Sequence, residues 1–89
     1  MSFVERASYV LGVPVAELRK KTRVNEFVLR RFAIAHVMRD SLNYSYPKIA
    51  RDLGLKNHTT MIHAVRKSRE LVQVDRCHAR MVNALEMAS

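Results

Sequence analysis

Apolar residues recur at intervals of three or four along most of this chain, which is the spacing expected of amphipathic helices. The first such stretch follows Ser2, a residue suited to cap a helix, and stops at Gly12, so a helix is predicted over residues 3–11. A short second helix is predicted to begin near Pro14, because a proline in a first turn lacks only an N–H that has no helical partner there. A longer helix, apolar on several faces and therefore buried by its neighbours, is predicted over residues 27–42.

The second half of the chain predicts two helices separated by a short turn. Ser45 is a good N-cap, Pro47 suits a first turn and Gly54 suits a helix end, which together predict a helix over residues 46–53. Asn57 is then placed to cap a helix that runs to about residue 72. The inner face of this longer helix is predicted to contain Met61, Ala64, Val65, Ser68, Leu71 and Val72.

A last helix is predicted over residues 76–87. Its inner stripe is predicted to contain Cys77, Met81, Ala84, Leu85 and Ala88. The predicted fold is therefore all-α, a compact multi-helix domain that occupies residues 1–89 as a single unit. Its helix-turn-helix is predicted at about residues 46–72.

Composition and charge narrow the class of partner. Hydrophobic residues make up 48% of the 89 residues, with only two glycines and two prolines, which favours a helical domain over a loop-rich β fold. Lysine and arginine outnumber aspartate and glutamate 16 to 8, a formal net charge of +8. A positive field of this size selects polyanions, with nucleic acid as the first candidate and an anionic membrane surface as the second. A solvated basic surface without a partner is the alternative.

Cysteine and leader signals indicate the compartment. The single cysteine, Cys77, cannot form an intramolecular disulfide, and nothing near the start resembles a secretory leader. No stretch approaches the roughly 20 apolar residues that a membrane span requires. We therefore expect a cytoplasmic, nucleoid-associated protein with no membrane partner.

The stretch "GLKNHTTMIHAVRK", residues 54–67, raises the question of catalysis. His58 beside Thr59 superficially suggests a base and a nucleophile, but adjacent helical residues point about 100° apart. No carboxylate lies nearby in sequence to orient the imidazole, and no glycine-rich loop is available to hold a phosphate. The sequence therefore predicts no enzyme activity and no cofactor.

A metal site is not predicted either. His58 and His63 are five residues apart, whereas two ligands on one helical face require a spacing of three or four. Cys77 and His78 are adjacent and would face different ways. His36, within the apolar third helix, is expected to be a residue of the core or its rim rather than a ligand.

The same stretch fits DNA recognition. A helix of about eight residues, a glycine-containing turn and a second helix with short polar side chains in its first turn form a helix-turn-helix, whose second helix enters the major groove. Asn57, His58 and Thr59 have suitable size and chemistry to read bases, and asparagine can pair bidentately with adenine. Lys48 is explained by a nearby phosphate, or is simply solvated. Residues 19–31 form the densest positive stretch, with six basic residues against one acid.

The segment "SYPKIARDLGLKNHTTMIHAVRKSREL" resembles the signature of domain IV, the C-terminal DNA-binding domain of the bacterial replication initiator DnaA. The positions that match this signature are His58, Thr59, Thr60, His63, Ala64, Arg66 and Lys67. "VAELRKK" resembles the family's entry segment and basic loop, and "RRFAI" resembles the start of its following helix, so the resemblance covers nearly all of the chain.

The resemblance implies an all-helical domain that binds an asymmetric double-stranded DNA site, the DnaA box, of the type TTATNCACA. It implies base reading by Asn57, His58 and Thr59, and an arginine or lysine of the basic loop in the minor groove, for which Lys21 and Arg23 are the candidates. The residues expected to contact the DNA backbone are Arg30, Arg31, Tyr46, Pro47, Lys48, Lys56, Thr60, His63 and Arg66. Because the family's site is asymmetric and no heptad seam is visible, a monomer is expected.

The sequence departs from the family pattern in several places. Asn57 stands where the family has aspartate, so base preference at one position is expected to differ. Lys56 stands where the family has arginine, which keeps the charge but loses the fork geometry of arginine. The basic loop is thinner, and its spacing leaves the choice between neighbouring arginines open. The chain also contains no nucleotide-binding module or phosphate-binding loop.

Three functional hypotheses follow. The first is a stand-alone protein that occupies DnaA-box-like sites and regulates replication initiation or transcription, with the initiator or its regulators as further partners; the Met-Ser start and complete last helix favour it. The second is a fragment of a full initiator with the same local activity. The third is a protein-interaction module that kept the fold and modulates the initiator or the replication machinery without reading DNA.

Overall fold

A computed structural model describes residues 2–19 and 25–89, and for residues 25–27 it describes the backbone alone. Within these residues the secondary structure is entirely helical, which confirms the predicted all-α fold. The helices are α1 (Phe3–Leu11), α2 (Val15–Leu18), α3 (Asn25–Asp40), α4 (Tyr46–Asp52), α5 (His58–Val74) and α6 (Arg76–Ala88). None of the helices in the described part of the chain is long and apolar enough to cross a membrane.

The helix ends follow from local capping chemistry. Ser2, Ser45 and Asn57 each accept a hydrogen bond from a backbone N–H of the first turn that follows, as predicted. Gly12 ends α1 in the left-handed conformation, at a φ of 66°. The helix α2 begins near Pro14 as predicted, although Pro14 precedes it as its N-cap and does not lie within the first turn.

The core is centred on α3, which packs against the other helices along most of its length. Its buried apolar residues are Ala33, Ile34, Ala35, Val37 and Met38. On α5 the predicted inner face is confirmed at Met61, Ala64, Val65 and Ser68, all at most 1% exposed, while Leu71 and Val72 are partly buried. This packing fixes one face of α5 from Met61 onward, whereas the residues of its first turn, His58, Thr59 and Thr60, are all exposed.

The predicted inner stripe of α6 is partly wrong. Cys77 is exposed, and the buried residues of α6 are His78, Val82 and Leu85. Leu85 is buried as predicted, and Met81, Ala84 and Ala88 are partly buried, so the inner face is displaced toward His78 and Val82. The reason is polar: His78 turns inward and its Nε2 lies 2.7 Å from the Oγ of Ser68 on α5.

A buried polar network joins α3, α5 and α6. The Oγ of Ser68 also lies 2.8 Å from Nδ1 of His36, and the Nε2 of His36 lies 3.1 Å from the carboxylate of Asp40. Arg69 closes the network at the surface, because its guanidinium donates two hydrogen bonds to Asp40. These bonds hold the pKa of Asp40 below its ordinary value, while burial lowers the pKa of both histidines. The expectation that His36 is a core residue is confirmed.

Candidate nucleic-acid interface

The turn between α4 and α5 is built around Gly54. This residue has a φ of 73°, in the left-handed region that favours glycine, and its N–H donates to the carbonyl oxygen of Arg51 at 3.1 Å. The N–H of Leu55 donates to the carbonyl oxygen of Ala50 at 2.7 Å. These bonds satisfy carbonyl groups at the end of α4 and set the direction in which the chain enters α5.

Arg19 packs against this turn from the other half of the chain. Its Nε donates a hydrogen bond to the carbonyl oxygen of Asp52 at 3.0 Å, and a Cβ on Gly54 would lie 3.3 Å from its own Cβ. Residue 19 immediately precedes the most basic part of the sequence. The described segment 2–19 therefore ends beside the helix-turn-helix. Two predicted site residues of the basic part that follows, Lys21 and Arg23, lie outside the described residues.

The first turn of α5 presents a row of exposed polar side chains. Asn57, His58, Thr59 and Thr60 are all exposed, whereas Met61 is 1% exposed. Asn57 is the N-cap, and its Oδ1 accepts from the N–H of Thr59 at 2.9 Å. Four consecutive polar groups therefore stand on the surface at the start of a helix whose next residue is anchored in the core.

The electrostatics of this helix start favour an anion. The first turn of α5 contains no acidic residue, so the partial positive charge of the helix N-terminus is not compensated from within the helix. Lys56, His63 and Arg66 are exposed. Arg66 lies seven residues after Thr59, two helical turns along the same face. A shallow depression beside this face is lined by Phe32, His63, Arg66, Lys67 and Glu70.

The start of α4 is braced by basic and aromatic side chains. The guanidinium of Arg39 lies over the ring of Tyr46, with its Cζ 4.5 Å from the ring centre, and it donates to the carbonyl oxygen of Tyr44 at 3.1 Å. Pro47 is exposed in the first turn of α4. Arg39 was not among the predicted site residues, and no local pattern signals it because its aromatic partner belongs to another helix.

The lysine of this turn has a structural explanation of its own. The Nζ of Lys48 lies 3.3 Å from the carboxylate of Asp52, one turn along α4, and 4.6 Å from the ring centre of Tyr44. Its side chain remains partly exposed. A nearby phosphate is therefore not needed to account for a lysine at this position.

The two arginines predicted at α3 differ in accessibility. Arg31 is 7% exposed, and burial lowers the pKa of its guanidinium, whereas Arg30 is only partly buried. Among the described residues, no group of three histidine, cysteine, aspartate or glutamate side chains is placed to hold a metal ion.

The fold and this surface define a DNA-binding helix-turn-helix domain. The profile of the family described as "Bacterial dnaA protein helix-turn-helix" matches residues 4–67. The chain belongs to this family.

The chain is also similar to named initiators. It is 37% identical over 71 residues to the chromosomal replication initiator protein DnaA of Enterococcus faecalis, a match that covers 80% of this chain and 16% of the relative. It is 33% identical over 64 residues to the DnaA protein of Streptococcus agalactiae serotype Ia, covering 72% of this chain and 14% of that relative. The chain thus corresponds to a small part of the length of these initiators.

Proposed function

We propose that this protein binds double-stranded DNA at DnaA-box-like sites, with the start of α5 in the major groove. The observation that carries the proposal is the exposed polar turn from Asn57 to Thr60, directly followed by the buried Met61. A recognition helix must expose its N-terminal side chains to base edges while the rest of the helix is held rigidly by the domain. An uncompensated helix N-terminus and the net charge of +8 supply attraction to phosphate.

In this proposal the predicted site residues have three roles. Asn57, His58 and Thr59 face base edges, and the basic segment that contains Lys21 and Arg23 lies along the minor groove. Between the two arginines of α3, the more exposed Arg30 is the better candidate for a phosphate contact than Arg31. The other phosphate-contacting residues in this proposal are Tyr46, Pro47, Lys48, Lys56, Thr60, His63 and Arg66.

The names of the relatives, chromosomal replication initiators, support a role in replication initiation. We infer that residues 1–89 act as one DNA-binding unit whose occupation of such sites regulates replication initiation or transcription. Because the proposed site is asymmetric, one monomer per site is expected. Direct contact with the initiator or its regulators is a further part of this proposal.

The proposal is tested by fluorescence anisotropy with a duplex that contains TTATCCACA and a scrambled duplex of the same composition. The salt concentration is about 150 mM, so that attraction to phosphate alone is weakened. We expect a preference for the box of ten-fold or more, about 1.4 kcal/mol. The double variant His58→Ala, Thr59→Ala is expected to lose this preference, while Asn83→Ala, an exposed change on α6, keeps it.

Two results contradict the proposal. One is equal affinity for both duplexes in a folded protein, accompanied by no preferred sequence in a selection from random duplexes. The other is an unchanged preference in the double variant. The first result, combined with an intact cellular function of the double variant, favours a protein-interaction module instead. The second result would show that His58 and Thr59 are not the base-reading residues.

A further inference from the structure

The Asn57 side chain carries two polar groups of opposite hydrogen-bonding character. Its Oδ1 accepts the N–H of Thr59 at 2.9 Å and so caps α5. A backbone N–H can be bonded only by an acceptor, which fixes the orientation of the amide, because the NH₂ group has no lone pair to offer. The carbonyl oxygen is therefore turned onto the helix end, and the NH₂ group is the part of the amide that remains for another partner.

This NH₂ group has two hydrogens to donate. Asn57 is exposed, and no described residue accepts a hydrogen bond from its Nδ2. His58 and Thr59, which follow it, are exposed as well. A ligand that approaches the start of α5 along these side chains meets a hydrogen-bond donor at Asn57.

The cap disfavours the usual way in which asparagine reads DNA. Bidentate pairing with adenine uses the amide oxygen and the NH₂ group together, one on N6 and the other on N7. At Asn57 the oxygen already accepts the N–H of Thr59, so pairing with adenine would require the same oxygen to accept a second hydrogen bond, from N6, with its remaining lone pair in the plane of the base. A donor alone pairs instead with a base edge that offers an acceptor.

We propose that Asn57 is a donor-only reader of the major groove, which selects guanine or thymine at the base it faces and discriminates against cytosine. Guanine presents O6 and N7 as acceptors and thymine presents O4, whereas cytosine presents an amino group whose hydrogens oppose those of Asn57. Adenine, with one acceptor and one donor, falls between them. This inference rests on the proposed function, because it requires that the start of α5 enters the major groove.

Two substitutions isolate the polarity of this side chain from its role as a cap. Asn57→Asp has nearly the same shape, and aspartate caps helices as well as asparagine does, but its second oxygen is an acceptor. Asn57→Ser also retains a capping oxygen and is too short to present a second polar group outward. Thermal unfolding of all three proteins verifies that the cap and the fold are preserved.

The experiment measures the affinities of wild-type, Asn57→Asp and Asn57→Ser protein for a set of duplexes derived from TTATCCACA. Each duplex has one base pair replaced, so that every position is sampled with all four bases. At one position we expect wild-type protein to bind guanine or thymine about ten-fold more tightly than cytosine. At that same position Asn57→Asp should prefer cytosine, and Asn57→Ser should show no preference. At the other positions the three profiles should coincide.

The outcomes separate this inference from the function on which it rests. If wild-type protein prefers the box but all three proteins share one profile, Asn57 reads no base and the inference is overturned while the proposed function stands. A wild-type preference for cytosine or adenine at the position altered by Asn57→Asp overturns the donor-only assignment. If wild-type protein shows no preference at any position, both the inference and the proposed function are overturned.

Discussion

The Nδ1 of His36 lies 2.8 Å from the Oγ of Ser68 in the interior of the domain. This contact belongs to a chain of hydrogen bonds in which each donor and each acceptor can be assigned. Because Nε2 of His36 donates to the carboxylate of Asp40, Nδ1 is the acceptor, and Ser68 donates to it. Ser68 then accepts from Nε2 of His78. The Nδ1 of His78, buried without a partner among the described residues, is left as a lone pair rather than an N–H.

Stability should depend on pH because both histidines are held neutral. Burial lowers the pKa of His36 and of His78, so the unfolded chain binds protons more readily than the folded one below the ordinary value of 6.5. The free energy of unfolding should therefore be level above about pH 7.5 and decrease toward pH 5.5, by at most about 1.4 kcal/mol per pH unit for each histidine. Urea denaturation at several pH values measures this change.

The flanking charges do not reverse this expectation. Asp40 opposes the lowering of the pKa of His36, while Arg69 adds to it, and Asp75 opposes it at His78. The pKa of Asp40 is itself lowered from 3.8, so its contribution is lost only at more acidic pH. His63→Gln, a change at an exposed histidine, serves as the control and should keep the wild-type profile. A free energy of unfolding that does not change between about pH 7.5 and 5.5 would falsify the prediction.

Replacing Ser68 should be costly although it removes a single oxygen. Ser68→Ala deprives Nδ1 of His36 and Nε2 of His78 of their shared partner in a site where Ser68 is 0% exposed. Each buried group left without a hydrogen bond costs about 1–3 kcal/mol. We expect a decrease of that order in the free energy of unfolding. Ser41→Ala, at an exposed serine, should change it by less than about 0.5 kcal/mol; equal effects of the two changes would argue against the network.

Helix ends whose determinants are local were predictable from the sequence. Ser2, Ser45 and Asn57 are recognisable as caps because each bonds a backbone N–H two or three residues later. The exposed first turn of α5 was predictable for the same reason, since its polar residues precede a helical apolar stripe.

Determinants that act between helices were not predictable. His78 turns inward because of Ser68 on α5, and an adjacent cysteine looked equally suited to the core. Basic residues were similarly indistinguishable in sequence. Arg31 is buried and Arg66 is exposed, and Arg19 is exposed but supports the turn through the carbonyl oxygen of Asp52, which is distant along the chain.

Gly54→Ala should destabilise the domain more than Gly12→Ala does. Both glycines have positive φ, 73° and 66°, so each alanine should cost about 1–2 kcal/mol in backbone strain. A Cβ at Gly12 meets no atom within 4 Å, whereas at Gly54 it lies 3.3 Å from Cβ of Arg19 and displaces this side chain. Chemical denaturation of both variants measures the difference. Equal destabilisation by the two changes would show that the Arg19 side chain moves aside without lowering the free energy of unfolding.

Folded Gly54→Ala protein should also bind DNA more weakly than wild-type protein does, since the turn orients α5. Arg19 is held to this turn by its hydrogen bond to the carbonyl oxygen of Asp52. Gly12 lies at the end of α1, away from the helix-turn-helix in the sequence, and Gly12→Ala provides the matched control. Anisotropy titrations under conditions in which both variants are folded compare the two. Unchanged affinity in Gly54→Ala would argue that the geometry of the turn is not critical for binding.

Arg66→Ala should weaken binding to every duplex by a similar factor. Arg66 is exposed two turns beyond Thr59 on the same face of α5, where it would meet phosphate rather than bases. Loss of one phosphate contact should reduce the slope of log affinity against log salt by about 0.9 while the preference for the box stays unchanged. Arg76→Ala is the matched control, because Arg76 follows the far end of the 17-residue α5, about 25 Å from its start. An equal reduction of slope in both variants would indicate that DNA affinity depends only on the total charge of the protein. A lost box preference in Arg66→Ala would instead place Arg66 among the base-reading residues.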